Sequence, residues 1–150
     1  LKLLPVKKKN LFEITRLLEQ NREALGFSLL PLREKLTSPS FMLLRLVEKG
    51  NLVGFTEVEA IESRARINCL VIAKNLRGAG LGGKALELLL CLLKEMGFEY
   101  VSVFVNAENR TAKKLYEKTG FCFVGLWQGK GIEVEELRKE FCEPPLCVYS

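Results

Sequence analysis

"RGAGLGGKA", residues Arg77 to Ala85, carries three phosphate-binding spacings at once. Gly78, Gly80 and Gly83 fit G-x-G-x-x-G, the dinucleotide fingerprint; Gly78 through Lys84 fit G-x-x-x-x-G-K, a P-loop without its last residue. Arg77, Gly80 and Gly82 fit R-x-x-G-x-G, the spacing of acyl-coenzyme A sites. A β-like apolar run, Ile67 to Ala73, precedes the stretch, and a leucine-rich helical pattern begins near Gly80 or Leu81. The first turn of a helix leaves backbone N–H groups unpaired at the positive end of the helix dipole, and glycines let an anion reach them. Lys74, Arg77 and Lys84 add positive charge, so the stretch reads as a phosphate site. The plainer reading is a turn made for tight packing of helix on sheet.

The surroundings separate the three spacings. Residue 85 is alanine, so the hydroxyl that would hold magnesium is missing, and the chain has no Asp to serve as a second metal partner. The strand before the stretch comes late in a meander, where a P-loop follows a parallel core strand. The dinucleotide reading needs an acidic residue about 20 positions on to hold a ribose. Glu99 has that spacing but begins the next strand instead of ending it, and little chain follows Gly83.

The acyl-coenzyme A spacing gains from a second segment. After the next strand comes "NAENRTAKKLYEKTGF", Asn106 to Phe121, in which Asn109, Ala112, Leu115, Tyr116, Gly120 and Phe121 form N-x-x-A-x-x-L-Y-x-x-x-G-F. With both segments present, in this order and one strand apart, the chain resembles the GNAT superfamily of N-acetyltransferases. The order of elements fits from Leu3 to Tyr149. The resemblance implies an α+β (α/β) GNAT fold in a single domain, 1–150. Its central mixed, mostly antiparallel sheet would have about six to seven strands flanked by about four helices, with a splayed strand pair binding acetyl-CoA.

The resemblance also assigns roles. Leu70, Val71 and Ile72 would offer a strand edge to the pantetheine arm, and Gly78, Ala79, Gly80, Leu81, Gly82 and Gly83 would wrap the pyrophosphate with backbone amides. Arg77 would help form that loop, and Asn109 would contact the pantetheine part. Tyr116 would protonate the departing thiolate; the plainer reading is a helix tyrosine packed on Phe121. The implied reaction is direct transfer of acetyl from acetyl-CoA to a primary amine, with no metal. The alternatives are a catalytically silent acyl-CoA-binding module and a dinucleotide-binding enzyme.

The general base is not given by the motifs. Ribosomal-protein alanine acetyltransferases carry a glutamate five residues before the motif asparagine, where this chain has Phe104. In several lysine acetyltransferases it lies on the strand before the loop, where Arg64, Arg66 and Asn68 stand here. Glu57 and Glu59 lie two apart on one strand and share a face. A hairpin turning at Glu62-Ser63 sets Glu59 opposite Arg66, an ion pair, and Glu57 opposite Asn68. Glu57, the freer of the two, is therefore the candidate base, with a water relay as the alternative.

Composition bounds the chemistry. The chain has 150 residues, nearly half hydrophobic, with a formal net charge of +5. All 18 acidic residues are Glu, and histidine is absent. Serine–histidine and cysteine–histidine nucleophile pairs are thus excluded, and a metal site is not expected. Cys69 and Cys91 sit in apolar runs and read as core residues. The odd thiol count and lack of a visible signal peptide favour a cytoplasmic protein. No apolar run is long enough for a membrane span, and nothing indicates nucleic acid. A homodimer, paired through the last strands, stays open.

Further expectations follow from periodicity. A helix starts at Asn10 with Glu13 as capping partner and stops at Gly26, and a short helix follows with Pro31 in its first turn. Leu81, Ala85, Leu88, Leu89, Leu92 and Met96 form one apolar helix face, with Leu86, Leu90 and Leu93 a second. Val134 to Phe141 reads as a polar helix, Gln128 to Gly131 as a mobile loop, and Leu146 to Tyr149 as a closing strand. The acidic "IEVEEL", Ile132 to Leu137, is expected to attract a cationic amine. Arg110, Lys113, Lys114 and Lys118 are expected either to meet the cofactor's 3′-phosphate and adenosine end or to form a solvated helix face.

Overall fold

The computed structural model describes residues 1–21 and 32–141. Among the described residues, seven strands form one sheet: β1 (Lys2–Pro5), β2 (Phe41–Glu48), β3 (Asn51–Ile61), β4 (Arg64–Ile72), β5 (Tyr100–Asn106), β6 (Cys122–Gly129) and β7 (Ile132–Glu140). Their spatial order is β1-β2-β3-β4-β5-β7-β6. Only the β4–β5 pair is parallel; the other five are antiparallel. A parallel pair needs a long crossover, which α3 (Leu81–Glu95) supplies. The remaining described helices are α1 (Leu11–Gln20), α2 (Leu32–Leu36) and α4 (Arg110–Lys118).

Alternation in the strands sorts the core into two layers. On one face Leu44, Val58, Ala65, Ile67, Val101, Val103 and Leu137 pack with Leu86, Leu89, Leu90 and Leu93 of α3 and Tyr116 of α4. On the other, Leu43, Phe55, Cys69 and Val71 pack with Ile14, Leu17 and Leu18 of α1. Leu89 and Leu93 are fully buried, so truncation of either to Ala costs about 2–5 kcal/mol. The α1 layer reaches from β2 to β4, while the same face of β5 and β7 carries polar and aromatic side chains.

Several expectations are corrected. Val134 to Phe141 is not helical: β7 inserts between β5 and β6 and is hydrogen-bonded on both sides. Its glutamates disfavour a strand in isolation, but a central sheet position overrides propensity. Gln128 to Gly131 closes the β6–β7 hairpin, with Lys130 and Gly131 at φ 52° and 77°, the left-handed pair of a tight hairpin turn. Helix α1 ends at Gln20, where the Asn21 side-chain amide donates to the Leu17 carbonyl (2.7 Å). Leu88, Cys91 and Met96 are exposed, because α3 lies on the sheet with a single buried stripe. The expected closing strand Leu146–Tyr149, the Gly26 stop, Pro31, Cys142 and Cys147 lie outside the described residues.

Candidate active site

The site begins where two parallel strands part. Strands β4 and β5 pair over Arg64–Tyr100, Ala65–Val101, Arg66–Ser102 and Ile67–Val103. Beyond that pair, β4 runs on to Ile72 and β5 to Asn106 with no pairing between them. The cause lies in β4 itself. Its register with β3 shifts between Val58–Ile67 and Glu57–Cys69, leaving Asn68 as an extra residue. Such a bulge bends and twists its strand. It also switches the side chains: Ile67 faces the α3 layer and Cys69 the α1 layer. Glu57 therefore stands opposite Cys69, not Asn68, while Glu59 stands opposite Arg66 as expected. The result is an open strand edge inside the sheet, which an extended ligand can fill by backbone hydrogen bonding. Leu70, Val71 and Ile72 lie on this stretch; Val71 is buried, and the other two are partly buried against the α3 side.

At the wide end of the gap lies the glycine turn. Lys74–Leu76 form one 3-10 turn, Arg77 is extended, and Gly78 and Gly80 have φ of 86° and 80°. Gly80 is the N-cap of α3 and no side chain caps the helix. The Lys84 amide bonds the Gly80 carbonyl at 3.2 Å, so the amides of Leu81, Gly82 and Gly83 precede the first helical bond. Gly78, Ala79 and Gly80 are exposed. This is a bare, dipole-bearing helix start of the kind that receives anions. Arg77, exposed, bridges two element ends: Nε donates to the Ile72 carbonyl (3.0 Å) and Nη2 to Asn21 Oδ1 (2.7 Å). It thus ties the end of β4 to the end of α1.

Helix α4 borders the gap on the other side. A Cβ placed on Gly82 would sit 3.6 Å from Leu115, so the start of α3 lies against the middle of α4. Asn109 caps α4 by accepting from the Ala112 amide at 3.1 Å. Tyr116 is buried, its ring edge-on to Phe121 at 5.1 Å between centroids. Burial raises its phenol above the ordinary range, and the neighbouring Cys69 adds to this. The Cys69 thiol is itself pushed up to about 12, by burial first and by the charge of Glu57 second. Phenol and thiol are each buried away from water, Tyr116 in the α3 layer and Cys69 in the α1 layer of the sheet. Of the basic residues on α4, Lys113 pairs with Glu135 of β7 at 2.6 Å, and Arg110, Lys114 and Lys118 are exposed.

The α1 side of the fork is a polar network. Glu57, 1% exposed, accepts from Lys35 of α2 at 2.8 Å and from the Asn68 amide at 2.8 Å. The same Asn68 nitrogen reaches Glu59 at 3.2 Å, and Glu59 pairs with Arg66 at 2.8 Å. Glu57 is thus not the freer of the two carboxylates. The acidic run of β7 is partnered as well. Glu133 accepts from Gln128, Glu135 faces α4, and Glu136 accepts from Trp127 Nε1 at 3.2 Å and lies 3.6 Å from Arg138. Lys35 and the Asn68 bulge escape sequence reasoning. A bulge leaves no composition signal, and a buried lysine beside Leu32 and Leu36 looks like any helix cation. Among the described residues, no group of three or more His, Cys or Glu is placed to hold a metal ion, and no helix is long and apolar enough to cross a membrane.

Comparison with known proteins agrees with this geometry. The chain is 30% identical over 90 residues to a mycothiol acetyltransferase of Propionibacterium freudenreichii, covering 57% of this chain and 29% of that protein. It is 38% identical over 82 residues to the N-acetyltransferase YycN of Bacillus subtilis, covering 52% of each. It spans about half or less of the length of these curated relatives. Its fold matches the ribosomal-protein-S18-alanine N-acetyltransferase of Escherichia coli (TM-score 0.83, 16% identity, 99% of both chains). It also matches the spermidine N-acetyltransferase of Vibrio cholerae in complex with CoA and spermine (TM-score 0.79, 19% identity, 93% and 94% of the chains). The family described as Acetyltransferase (GNAT) matches residues 11–121. From its parted strands, its bare helix start and this match over most of its length, the chain belongs to the GNAT acetyltransferase family.

Proposed function

We propose that the protein transfers an acetyl group from acetyl-CoA to a primary amine by direct attack. The observation that carries this reading is the parting of β4 from β5 after Ile67–Val103, with Tyr116 buried at the fork and the uncapped start of α3 at the wide end. Acetyl-CoA supplies an activated thioester, and the transfer breaks its C–S bond as a C–N bond forms. The edge at Leu70–Ile72 would hold the pantetheine arm, with Asn109 beside it, and the amides of Gly78 through Gly83 the pyrophosphate. Negative charge growing on the carbonyl oxygen would be met by the Ile72 amide. Arg77 holds that strand end in place through the Ile72 carbonyl.

Tyr116 is the proton donor to the leaving sulfur in this reading. A phenol raised by burial would be a poor acid toward a thiolate in water. On this reading the thiolate leaves into the same buried surroundings, which disfavour its charged form as they do the phenolate's. Both partners move up together, so the transfer stays feasible. The amine must also lose a proton. Glu57 is the proposed base: each of its oxygens accepts one hydrogen bond, which leaves a second lone pair on each.

A cytoplasmic setting fits the free thiols Cys69, Cys91 and Cys122. A homodimer through the last strands fits the exposed Phe123, Val124, Leu126 and Trp127 of edge strand β6. The test of the activity is incubation with acetyl-CoA and a panel of amines, following free thiol. Acceptor-dependent release is expected. Tight CoA binding with no release from any acceptor would make the protein a silent acyl-CoA module, and stabilisation by NAD but not CoA would end the reading.

A further inference from the structure

We infer that the acceptor amine carries an anionic group, in the simplest case a carboxylate, held over Ser102 between Arg66 and Arg138; this rests on the acetyltransfer reading above. Arg66, Ser102 and Arg138 form one row across β4, β5 and β7. Residues directly opposite one another share a face, so both guanidinium arms flank Ser102 on the face that Glu59 and Asn68 also line. The arms rest on the two aromatics either side of Ser102 along β5. Arg66 lies 5.9 Å from the Phe104 ring and Arg138 4.3 Å from the Tyr100 ring. A cation over a ring face at such distances is held there by the ring quadrupole.

Among the described residues, two donors in this row lack a partner. The Ser102 hydroxyl is fully buried and unbonded, and so is Arg138 Nε. Buried polar atoms nearly always find a partner, so these two mark a place where an added acceptor would be satisfied. These two are neighbours in register, and both can donate. Arg66 is committed to Glu59 and Asn68 at 2.8 and 3.1 Å, whereas Arg138 meets Glu136 only at 3.6 Å. The group that satisfies such a set is acceptor-only and charged, which describes a carboxylate.

The position sets the spacing. The row adjoins Ile67–Val103, the last pair before the strands part, and the level of Glu57 and Cys69 lies two to three residues further on. At about 3.3 Å per residue the anion and the amine sit roughly 7–10 Å apart. An α-amino acid is too short for this. An extended chain of about five to seven single bonds between nitrogen and carboxyl carbon spans it, at roughly 1.5 Å per bond before the zigzag.

The test is thiol release from acetyl-CoA with ω-amino acids from 3-aminopropanoate to 7-aminoheptanoate, each beside the alkylamine of equal length and the corresponding diamine. The expected result is a kcat/KM for 6-aminohexanoate about tenfold or more above hexylamine, with shorter acids falling away. R138Q is expected to bring that ratio close to one, and S102A to lower it by a smaller factor. A purely structural role would lower both acceptors alike and leave the ratio unmoved. Hexylamine or 1,6-diaminohexane matching or outrunning the acid overturns the inference and leaves acetyl transfer standing. No release from any amine overturns the transfer reading itself, and this inference with it.

Discussion

The two ends of the gap between β4 and β5 are built on opposite terms. The wide end is backbone: three amides before the first helical bond, two glycines at positive φ, and no capping side chain. The fork is side chains: Lys35, Glu57, Asn68, Arg66 and Glu59 linked in one partly buried network, with Cys69 buried on that face of the sheet and Tyr116 on the other. On the proposed reading, a backbone site meets the part common to every acyl-CoA. A side-chain site can change acceptor by substitution without disturbing the turn. The contrast predicts that damage at the fork falls on rate and stability, and damage at the turn on cofactor affinity.

The largest effect should come from Tyr116→Phe. The ring and its contact with Phe121 remain, and only the hydroxyl is lost. A fall in kcat of roughly 10²–10⁴ is expected, with KM for acetyl-CoA within about threefold. Loss of the proton donor should be steepest for acceptors whose attack is fast. Stopped-flow single-turnover measurement separates this from slower product release, and a kcat within a few-fold of wild type would assign Tyr116 to packing alone.

Next comes the buried pair of Lys35 and Glu57, each almost fully buried. Removing one partner leaves a charge alone in a poor solvent, at a cost of about 3–5 kcal/mol. Lys35→Met or Glu57→Gln should each lower urea stability by that order. The double variant K35M/E57Q should recover most of it and yet stay inactive if Glu57 is the base. Recovery of activity together with stability would move the base elsewhere and favour a water relay.

At the turn, Gly80→Val should act on binding. A β-branched residue at φ 80° is strained, and its side chain would project into open space where the diphosphate is expected. A loss of about 10–100-fold in CoA affinity is expected by calorimetry, since the charged hydrogen bonds at stake are each worth roughly 1.5–3 kcal/mol. The far-UV spectrum should be unchanged. An unaltered affinity would place the anion elsewhere.

This difference also explains what the sequence disclosed. Gly78, Gly80 and the order of the two motifs announce the turn because glycine is tied to backbone shape. Tyr116 and Asn109 come with the same spacing. The fork stayed hidden because its decisive feature is a one-residue bulge at Asn68, which slides Glu57 from Asn68 to Cys69 and inverts which face follows. Alternation carries no mark of such a slip. The same holds for β7, whose glutamates hide a central strand that only its neighbours reveal. Arg138 and Ser102 meet across strands distant in sequence, and no local pattern joins them.

The smallest expected effect concerns pH and sharpens the picture of a dry fork. Cys69 is raised from 9.0 to about 12 in the folded protein, with burial as the first cause. For a thiol raised on folding, the unfolded chain gives up its proton first. Between about pH 9 and 12 the unfolded state therefore binds fewer protons, and stability falls as pH rises. The contribution is whole below pH 9, and above it one such group steepens the loss by about 1.4 kcal/mol per pH unit. Tyr116, raised in the same direction, adds its share above about pH 10. Urea unfolding of wild type and Cys69→Ala from pH 8 to 10.5 should show a shallower decline in the variant above pH 9. Parallel curves would mean that the thiol titrates as freely in the folded protein as in the unfolded chain, and the fork would then be wet.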